Sequence, residues 1–419
     1  MLYVLWDEAH LWGVLLTRAL RAWGLPLRLI RAGEVASGLL SRRPPRLLAV
    51  PGGFASRKAA SLGPAGLEAV REYVRAGGSY LGICGGAGLG LTVPGGLGLC
   101  PWTREPFEHR LQHFASGNVE LIPKPSDFTP PGIDRPLAPI WWPAKFRPGE
   151  PGVEVVAAYG LPGPGFMMAD IPLSLVPGQA LEDWESMYGV RLAPAFAEGD
   201  PCIVSGRFGS GRYLLSHAHL ETPESPDANA WLGHILGRLS DLPAPEGTTP
   251  AWAIGRGERA WDDPVLARAM DLILGAVDLG QAHGLLAWRE PWLLGWKQGL
   301  PGAQLSGILA MLDEALGLNP SGASRRFLDR RRDDFARTVE LLTKGLSGYL
   351  LAERLALTLA RVDPEAVPER GLREARTTLF GPPPGSGAAG GGLCGRVLAV
   401  IEECIFLTNG LTEKEDNVV

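Results

Sequence analysis

The strongest signal of chemistry in this 419-residue sequence is a cysteine enclosed by glycines. Cys84 stands in the string Gly82-Ile-Cys-Gly-Gly86, after a strand-like segment and before a run of small residues. A Gly-x-nucleophile-x-Gly pattern places the nucleophile on a tight strand-to-helix turn, where neighbouring side chains would collide. The following backbone N–H can point at an oxyanion, and the helix terminus favours a thiolate. The pattern predicts a nucleophile; the alternative is a buried structural cysteine in a glycine-rich turn.

A thiol nucleophile needs a base, and two of the seven histidines directly follow a predicted strand. His217 and His219 lie in the string Leu214-Leu-Ser-His-Ala-His-Leu-Glu-Thr-Pro223. Residues two apart in an extended segment point to the same side, so both histidines share a face with Glu221. The two-residue alternation does not distinguish the two histidines, but His219 is favoured because the carboxylate of Glu221, two residues further on, could orient its ring. The alternative is a polar surface turn.

A third glycine-rich element, Pro51-Gly52-Gly53, follows another predicted strand. Glycines there would let a backbone N–H approach a substrate carbonyl closely. Loops at the carboxyl ends of neighbouring parallel strands converge on one crevice, so this loop should open beside Cys84 and His219. Taken alone, the string fits an ordinary turn equally well.

Alternating strand and helix patterns surround these motifs. Strands are predicted at residues 2–6, 27–30, 46–50 and 79–83, and helices at residues 11–23 and 64–76. This alternation predicts an α/β fold with a mostly parallel sheet and helices on both faces. Further strands are predicted at residues 153–159, 202–208 and 213–216, the last two as a hairpin, with a helix at residues 228–239.

The chain divides into two predicted domains. Residues 1–242 form the α/β domain, and the string Pro243-Ala-Pro-Glu-Gly-Thr-Thr-Pro250 marks a linker over residues 243–252. Residues 253–419 should be mainly helical, with helices at 263–285, 304–316, 324–344 and 346–362 and a Gly/Pro-rich loop at 381–392. Trp288, Trp292 and Trp296 recur every four residues, which predicts the apolar face of a helix packed against the first domain; the alternative is a stripe that stacks on a ligand.

Composition excludes several classes of protein. Forty basic against 45 acidic residues leave a net charge of −5, which argues against a general nucleic-acid surface. No apolar run reaches the roughly 18 residues of a membrane span, and no basic segment precedes the apolar N-terminus as in an export signal. The five scattered cysteines fit a reduced cytoplasmic protein without a disulfide framework or zinc site. No metal or cofactor is expected.

Four strings together resemble a known superfamily: Pro51-Gly-Gly53, Tyr73-Val-Arg-Ala-Gly-Gly78, Tyr80-Leu-Gly-Ile-Cys-Gly-Gly86 and Leu215-Ser-His-Ala-His-Leu-Glu-Thr222. They resemble class I glutamine amidotransferases and, among these, the biotin–protein ligase N-terminal domain family, over residues 1–240. The resemblance implies a flavodoxin-like fold and a Cys–His–Glu triad. Cys84 would be the nucleophile, His219 the base and Glu221 its orienter.

The resemblance also implies an oxyanion hole and a substrate cleft. The N–H groups of Gly53 and Gly85 would form the oxyanion hole. Gly52, Gly86 and His217 are expected to lie against the substrate.

Two departures from the family pattern limit the substrate. Glutamine-hydrolysing members usually carry Gln four residues after the nucleophile, where this chain has Gly88, and the preceding residue is Ala87. These two residues argue against free glutamine as the substrate. A biotin ligase should carry a Gly-Arg-Gly-Arg-type loop followed by strands, but the nearest string, Ile254-Gly-Arg-Gly-Glu-Arg-Ala-Trp261, leads into helical patterns.

The leading hypothesis is a cysteine-dependent hydrolase that acts on a small amide or acyl substrate through a thioester. The alternatives are a non-catalytic module that binds a small molecule, or a protein partner through its helical domain, and a proteolytic or deglycase-like enzyme. Neither nucleic acid nor a membrane is expected as a partner.

The chain should not transfer biotin. We expect no ATP-dependent labelling when the purified protein is incubated with biotin and an acceptor domain, because the adenylate loop and its strands are absent from the sequence pattern. Robust labelling would contradict this expectation.

Overall fold

The computed structural model describes residues 1–105, 115–141, 144–168, 170–189, 198–223, 225–296, 300, 302–382 and 391–409. These residues form two compact units, Met1–Ala251 and Trp252–Val419. Most of the glycine-rich segment predicted as a loop at 381–392 lies outside the described residues. Within the described part, no helix is both long and apolar enough to cross a membrane.

The first unit alternates strands and helices, as the sequence predicts. Its strands are β1 (Leu2–Leu5), β2 (Leu27–Ile30), β3 (Leu47–Val50), β4 (Ser79–Ile83), β5 (Thr103–Arg104), β6 (Ala115–Pro123), β7 (Leu137–Trp141), β8 (Phe146–Arg147), β9 (Val153–Pro162), β10 (Met167–Met168), β11 (Ile171–Pro172), β12 (Pro201–Phe208) and β13 (Gly211–Ser216). Its helices are α1 (His10–Ala22), α2 (Ala32–Ala36), α3 (Leu39–Arg42), α4 (Ala55–Arg75), α5 (Gly85–Gly90), α6 (Gly178–Tyr188) and α7 (Pro226–Ser240), with a 3-10 helix at Leu173–Leu175.

Five strands form a parallel sheet in the order β2-β1-β3-β4-β13. This is the 2-1-3-4-5 order of flavodoxin-like folds. Residues of β1, β3 and β4 are buried without alternation, as expected for strands covered on both faces. The predicted α/β, flavodoxin-like fold is therefore confirmed.

Antiparallel strands extend this sheet beyond β13. The order continues β13-β12-β9-β6-β10-β11, and β7 also pairs with β6. The sequence predicted β9 and the β12–β13 hairpin but neither β6 nor β7, because prolines and glycines interrupt the pattern there. β6 alternates buried and half-buried residues, so only one of its faces is fully covered. A separate two-stranded ladder joins β5 to β8.

The predicted helix at 64–76 is the second half of α4. The helix already begins at Ala55, and Gly63, at φ 60°, joins the two parts through a kink. Pro64 marks the start of a helix in sequence because its ring suits a first turn. The positive φ of Gly63 allows the helical turns before it to join the helix that starts at Pro64. No feature of the sequence indicated these earlier turns.

The second unit is mainly helical, with one hairpin. Its elements are α8 (Pro264–Ala282), β14 (Leu286–Glu290), β15 (Leu293–Trp296), α9 (Gly302–Gly317), α10 (Gly322–Val362), α11 (Glu369–Phe380) and α12 (Gly392–Asn409), with a 3-10 helix at Pro364–Ala366. The two helices predicted at 324–344 and 346–362 are the single helix α10. Gly345 does not break it; a Cβ there would lie 2.7 Å from Leu379 Cδ2, so the glycine permits close helix packing.

The prediction of a helical tryptophan face is wrong. Trp288 lies in β14 opposite Leu294, and Trp292 is buried in the connection between the two strands. Gly284, at φ 63°, follows the end of α8, and Pro291 lacks the N–H that a continuing helix would need. The four-residue spacing of these tryptophans therefore comes from a short β-hairpin and not from a helix.

Candidate active site

Parallel pairing of β4 with β13 brings the two chemical segments to one edge of the sheet. The register places Ile83 opposite Ser216, so Cys84 and His217 each follow the last residue of a paired strand. The Cys84 N–H donates to the Ser216 carbonyl at 2.7 Å, which extends the pairing by one residue. The cysteine turn and the histidine segment therefore start from fixed, adjacent positions.

Cys84 occupies a backbone conformation that few residues with a side chain adopt. Its φ of 51° and ψ of −104° put it at the turn before α5. A Cβ on Gly85 would lie 1.9 Å from the Gly53 carbonyl oxygen, and one on Gly86 would lie 1.9 Å from the Val50 carbonyl oxygen. The glycines of the motif are therefore required by backbone packing. Strain of this kind is concentrated at functional sites.

Cys84 is also the accessible cysteine of the chain. It is partly exposed, whereas the other four cysteines are buried. Burial raises the pKa of Cys202 and Cys404, the latter to about 12, which makes those thiols poor nucleophiles at neutral pH.

His219 and Glu221 form a buried pair beside this cysteine. Both side chains are fully buried, and His219 Nδ1 lies 2.8 Å from Glu221 Oε1. With the carboxylate ionised, Nδ1–H donates to it and Nε2 is left for another partner. The geometry is the one that an orienting carboxylate requires.

The charges around His219 favour its protonated form. Burial alone lowers the pKa of the ring, but Glu221 and Cys84 outweigh burial and raise the pKa above its ordinary value of 6.5. Nε2 makes no hydrogen bond of ordinary geometry with the described residues. Cys84 acts on the ring as a nearby charge and a weak hydrogen-bond partner, so thiol and imidazole are neighbours without a tight bond. Such contacts are often loose before substrate binds.

His217, the other candidate base, has different surroundings. Its ring lies against Phe146, with 4.1 Å between centroids, and its backbone N–H donates to the Cys202 carbonyl. The hydrogen bond to Glu221 therefore distinguishes His219 from His217. The sequence alternation alone did not distinguish the two histidines. His109 and His113 lie outside the described residues.

The loop after β3 is pressed against the cysteine turn. Gly53 has φ 113°, and a Cβ there would lie 2.2 Å from the Glu8 carbonyl oxygen. The near-contact between Gly85 and Gly53 places their backbones side by side. Neither N–H donates a hydrogen bond to another described residue. Their role as an oxyanion hole stays a prediction. No metal-binding group of three His, Cys, Asp or Glu is found among the described residues.

Asn229 on α7 fixes the histidine segment, although no sequence motif indicated it. Its Nδ2 donates to the carbonyls of Leu220 (2.8 Å) and Thr222 (2.9 Å), and its Oδ1 accepts the Thr249 N–H at 2.7 Å. The residue is fully buried. The available signal was an amide side chain on the apolar face of a predicted helix, since a buried amide needs partners.

Arg104 on β5 supplies a cation near the thiol. The residue is exposed. The pKa of its guanidinium is lowered because partial desolvation outweighs the opposing effect of a charge on Cys84, so the two groups lie within electrostatic range. Backbone pairing with Phe146 fixes its position on the strand.

One family model matches this part of the chain. Residues 42–92 match the family described as "Biotin-protein ligase, N terminal". The match runs from the end of α3 through the glycine loop and α4 to the segment that follows α5. The resemblance indicated by the motifs is confirmed for this segment. No curated protein matches the chain significantly.

Solved structures similar to this chain share little sequence with it. A glutamine amidotransferase is 19% identical with a TM-score of 0.36, over 57% of this chain and 99% of that one. A putative GMP synthase component from Thermoplasma acidophilum is 12% identical with a TM-score of 0.36, over 57% and 94%. A beta-galactosidase from Bacillus circulans sp. alkalophilus is 14% identical with a TM-score of 0.35, over 58% and 31%.

Removing the amide anchor should loosen the histidine segment. Asn229→Ala leaves two buried carbonyls and one N–H without partners, so we expect the free energy of unfolding to fall by about 2–4 kcal/mol. Urea unfolding measures this loss. The control is Asn319→Ala at an exposed position, which should change stability little. Equal stabilities of the two variants would contradict the anchoring role.

Glu221 should hold the His219 proton above pH 6.5. A neighbouring carboxylate favours the imidazolium, so in Glu221→Gln the ring should lose its proton at a pH lower by about 1–3 units. The midpoint is read from the His219 ring signals in NMR spectra, assigned with His219→Gln. Glu120→Gln removes a carboxylate paired with Arg135 instead, and should leave the midpoint unchanged. An unchanged midpoint in Glu221→Gln would refute the electrostatic role.

Proposed function

We propose that this chain is a cysteine-dependent, amidotransferase-like hydrolase acting on a small amide or acyl substrate through a thioester. One observation supports this most: the partly exposed Cys84 on its strained turn neighbours a buried His219–Glu221 pair. A thiol, a base and an orienting carboxylate are the parts that nucleophilic acyl transfer needs.

In the acylation step, the Cys84 thiolate attacks the carbonyl carbon of the substrate. A C–S bond forms while the C=O π electrons move onto oxygen, and the N–H groups of Gly53 and Gly85 donate to the resulting oxyanion. As the intermediate collapses, the bond to the leaving nitrogen breaks, and the His219 imidazolium gives its proton to that nitrogen. Glu221 keeps the ring oriented. An amine leaves and a thioester remains.

In the deacylation step, neutral His219 takes a proton from water. The water oxygen attacks the thioester carbon, and the same two N–H groups stabilise the second oxyanion. Collapse releases a carboxylic acid and the Cys84 thiolate, with the proton held on His219. An amine in place of water would complete a transfer instead of a hydrolysis.

The substrate we propose is an acyl compound with an anionic group, and free glutamine is not favoured. Position 88, where glutamine-hydrolysing relatives carry Gln, is a buried glycine, and Ala87 beside it is also buried. The exposed Arg104 offers a cation within electrostatic range of the thiol. A carboxylate or phosphate on the substrate could pair with it.

Acyl transfer to Cys84 is tested with p-nitrophenyl acetate, an activated ester. We expect a burst of one p-nitrophenolate per protein and one acetyl group, located on Cys84 by peptide mass spectrometry. Cys84→Ala should abolish the burst, and His219→Ala should slow it about 100-fold or more because the proton relay is lost. The four buried cysteines serve as internal controls. Acetylation elsewhere, or a burst that survives in Cys84→Ala, would favour the non-catalytic binding module.

The role of Arg104 is tested by comparing an anionic and a neutral reagent. We expect Arg104→Gln to lower the ratio of Cys84 alkylation rates by iodoacetate and iodoacetamide roughly 2- to 5-fold, because one nearby cation no longer attracts the carboxylate. Salt should reduce the wild-type ratio. Arg147→Gln, on the paired strand β8, is the control. An unchanged ratio in Arg104→Gln would remove the argument for an anionic substrate.

A further inference from the structure

An indole ring covers one face of His219. The ring of Trp12 stacks on the imidazole with 4.1 Å between centroids and 26° between planes. Trp12 is the third residue of α1, the helix that follows β1. It therefore reaches His219 from a part of the chain that contributes neither the thiol nor the carboxylate, and no motif in the sequence indicated it.

The surrounding backbone is shaped around this indole. A Cβ on Gly52 would lie 2.7 Å from Trp12 Cγ, so only glycine leaves room for the ring at this position. Glu8, in the turn before α1, and His10, the first residue of α1, have φ values of 56° and 43°, which non-glycine residues rarely adopt. The Trp12 ring also neighbours Trp141, with 6.3 Å between centroids. The stacked position is thus constrained from several elements.

We propose that Trp12 is a positioning residue that holds the His219 ring between Glu221 and Cys84 and favours its imidazolium form. As a contribution to turnover, this role rests on the proposed function. The stacking and its effect on the proton do not require turnover and can be measured separately.

The physical basis is the electron-rich face of the indole. A cation over that face is attracted by the ring quadrupole, and tryptophan is the strongest of the aromatic side chains in this respect. The attraction is larger where water is absent, and His219 is fully buried. Stacking uses the face of the imidazole and leaves both nitrogens, in its plane, for Glu221 and the thiol.

Few other groups influence the protonation of the His219 ring. The titratable groups that act on His219 are Glu221 from the same segment and Cys84 from the turn after β4. Trp12, from α1, brings no charge, and the His219 backbone N–H donates to the Pro139 carbonyl of β7 at 2.9 Å. A change of the indole therefore alters the ring environment without removing a charge or a hydrogen bond.

The test follows the His219 ring by NMR in histidine-labelled protein, with wild type, Trp12→Phe and Trp12→Leu. Stacking on an indole shifts the imidazole protons upfield, and this shift should disappear in Trp12→Leu. The deprotonation midpoint should fall by about 0.4–1.5 pH units in Trp12→Leu and less in Trp12→Phe. His217, which stacks on Phe146 instead, is the internal control and should keep its chemical shifts.

Gly52→Ala provides an independent perturbation if Trp12→Leu does not fold. The added methyl group must displace the indole, so it should also reduce the upfield shift and lower the midpoint of His219. An unchanged midpoint in a folded Trp12→Leu or Gly52→Ala protein would overturn the inference.

The two proposals fail in distinguishable ways. If the acetylation burst is absent but Trp12→Leu still lowers the midpoint, the proposed function fails and the effect of the indole on the proton stands. If acetylation of Cys84 occurs and the midpoint does not depend on Trp12, only the role of Trp12 is lost.

Discussion

The candidate site depends on the parallel pairing of β4 with β13. The register that places Ile83 opposite Ser216 brings the cysteine turn and the histidine segment together from positions far apart in sequence. A shift of one residue would turn each side chain to the opposite face of the sheet. The hydrogen bond from the Cys84 N–H to Ser216 fixes the last step of this register. Glycines in the adjoining loops then allow backbones to approach more closely than a Cβ would permit.

This arrangement has an energetic cost that the surrounding structure must offset. Cys84 and Glu8, in turns, and His10, at the start of α1, all have positive φ. A fully buried ion pair such as His219–Glu221 gains its attraction only against a large desolvation penalty. Breaking such a pair by removing one partner leaves an uncompensated buried charge, which is worse than lacking both. The hydrogen bonds of Asn229 fix the segment that carries the pair, and the indole of Trp12 stacks on its imidazole.

Local sequence patterns predicted the parallel strands of the first unit well. Elements that depend on contacts between distant parts of the chain were not predicted. The strands at 2–6, 27–30, 46–50 and 79–83 are short segments rich in apolar residues, and their predicted bounds were within one residue of the structure. The first half of α4 and the strands β6 and β7 were missed, because glycine, proline and tertiary packing override local periodicity there. The residues around Cys84 were found from their spacing. Trp12 and Asn229 were not, because an aromatic or amide side chain in a helix has no distinctive spacing.

The central claim is that His219 activates Cys84. The most direct test is the rate of Cys84 alkylation by iodoacetamide as a function of pH, in wild type and in His219→Ala. The account predicts that wild-type Cys84 is alkylated rapidly at neutral pH, and that the rate at neutral pH falls about 10-fold or more in His219→Ala because the thiol loses its neighbouring imidazole. Coincident pH profiles for the two proteins, or a wild-type thiol that does not react, would contradict it.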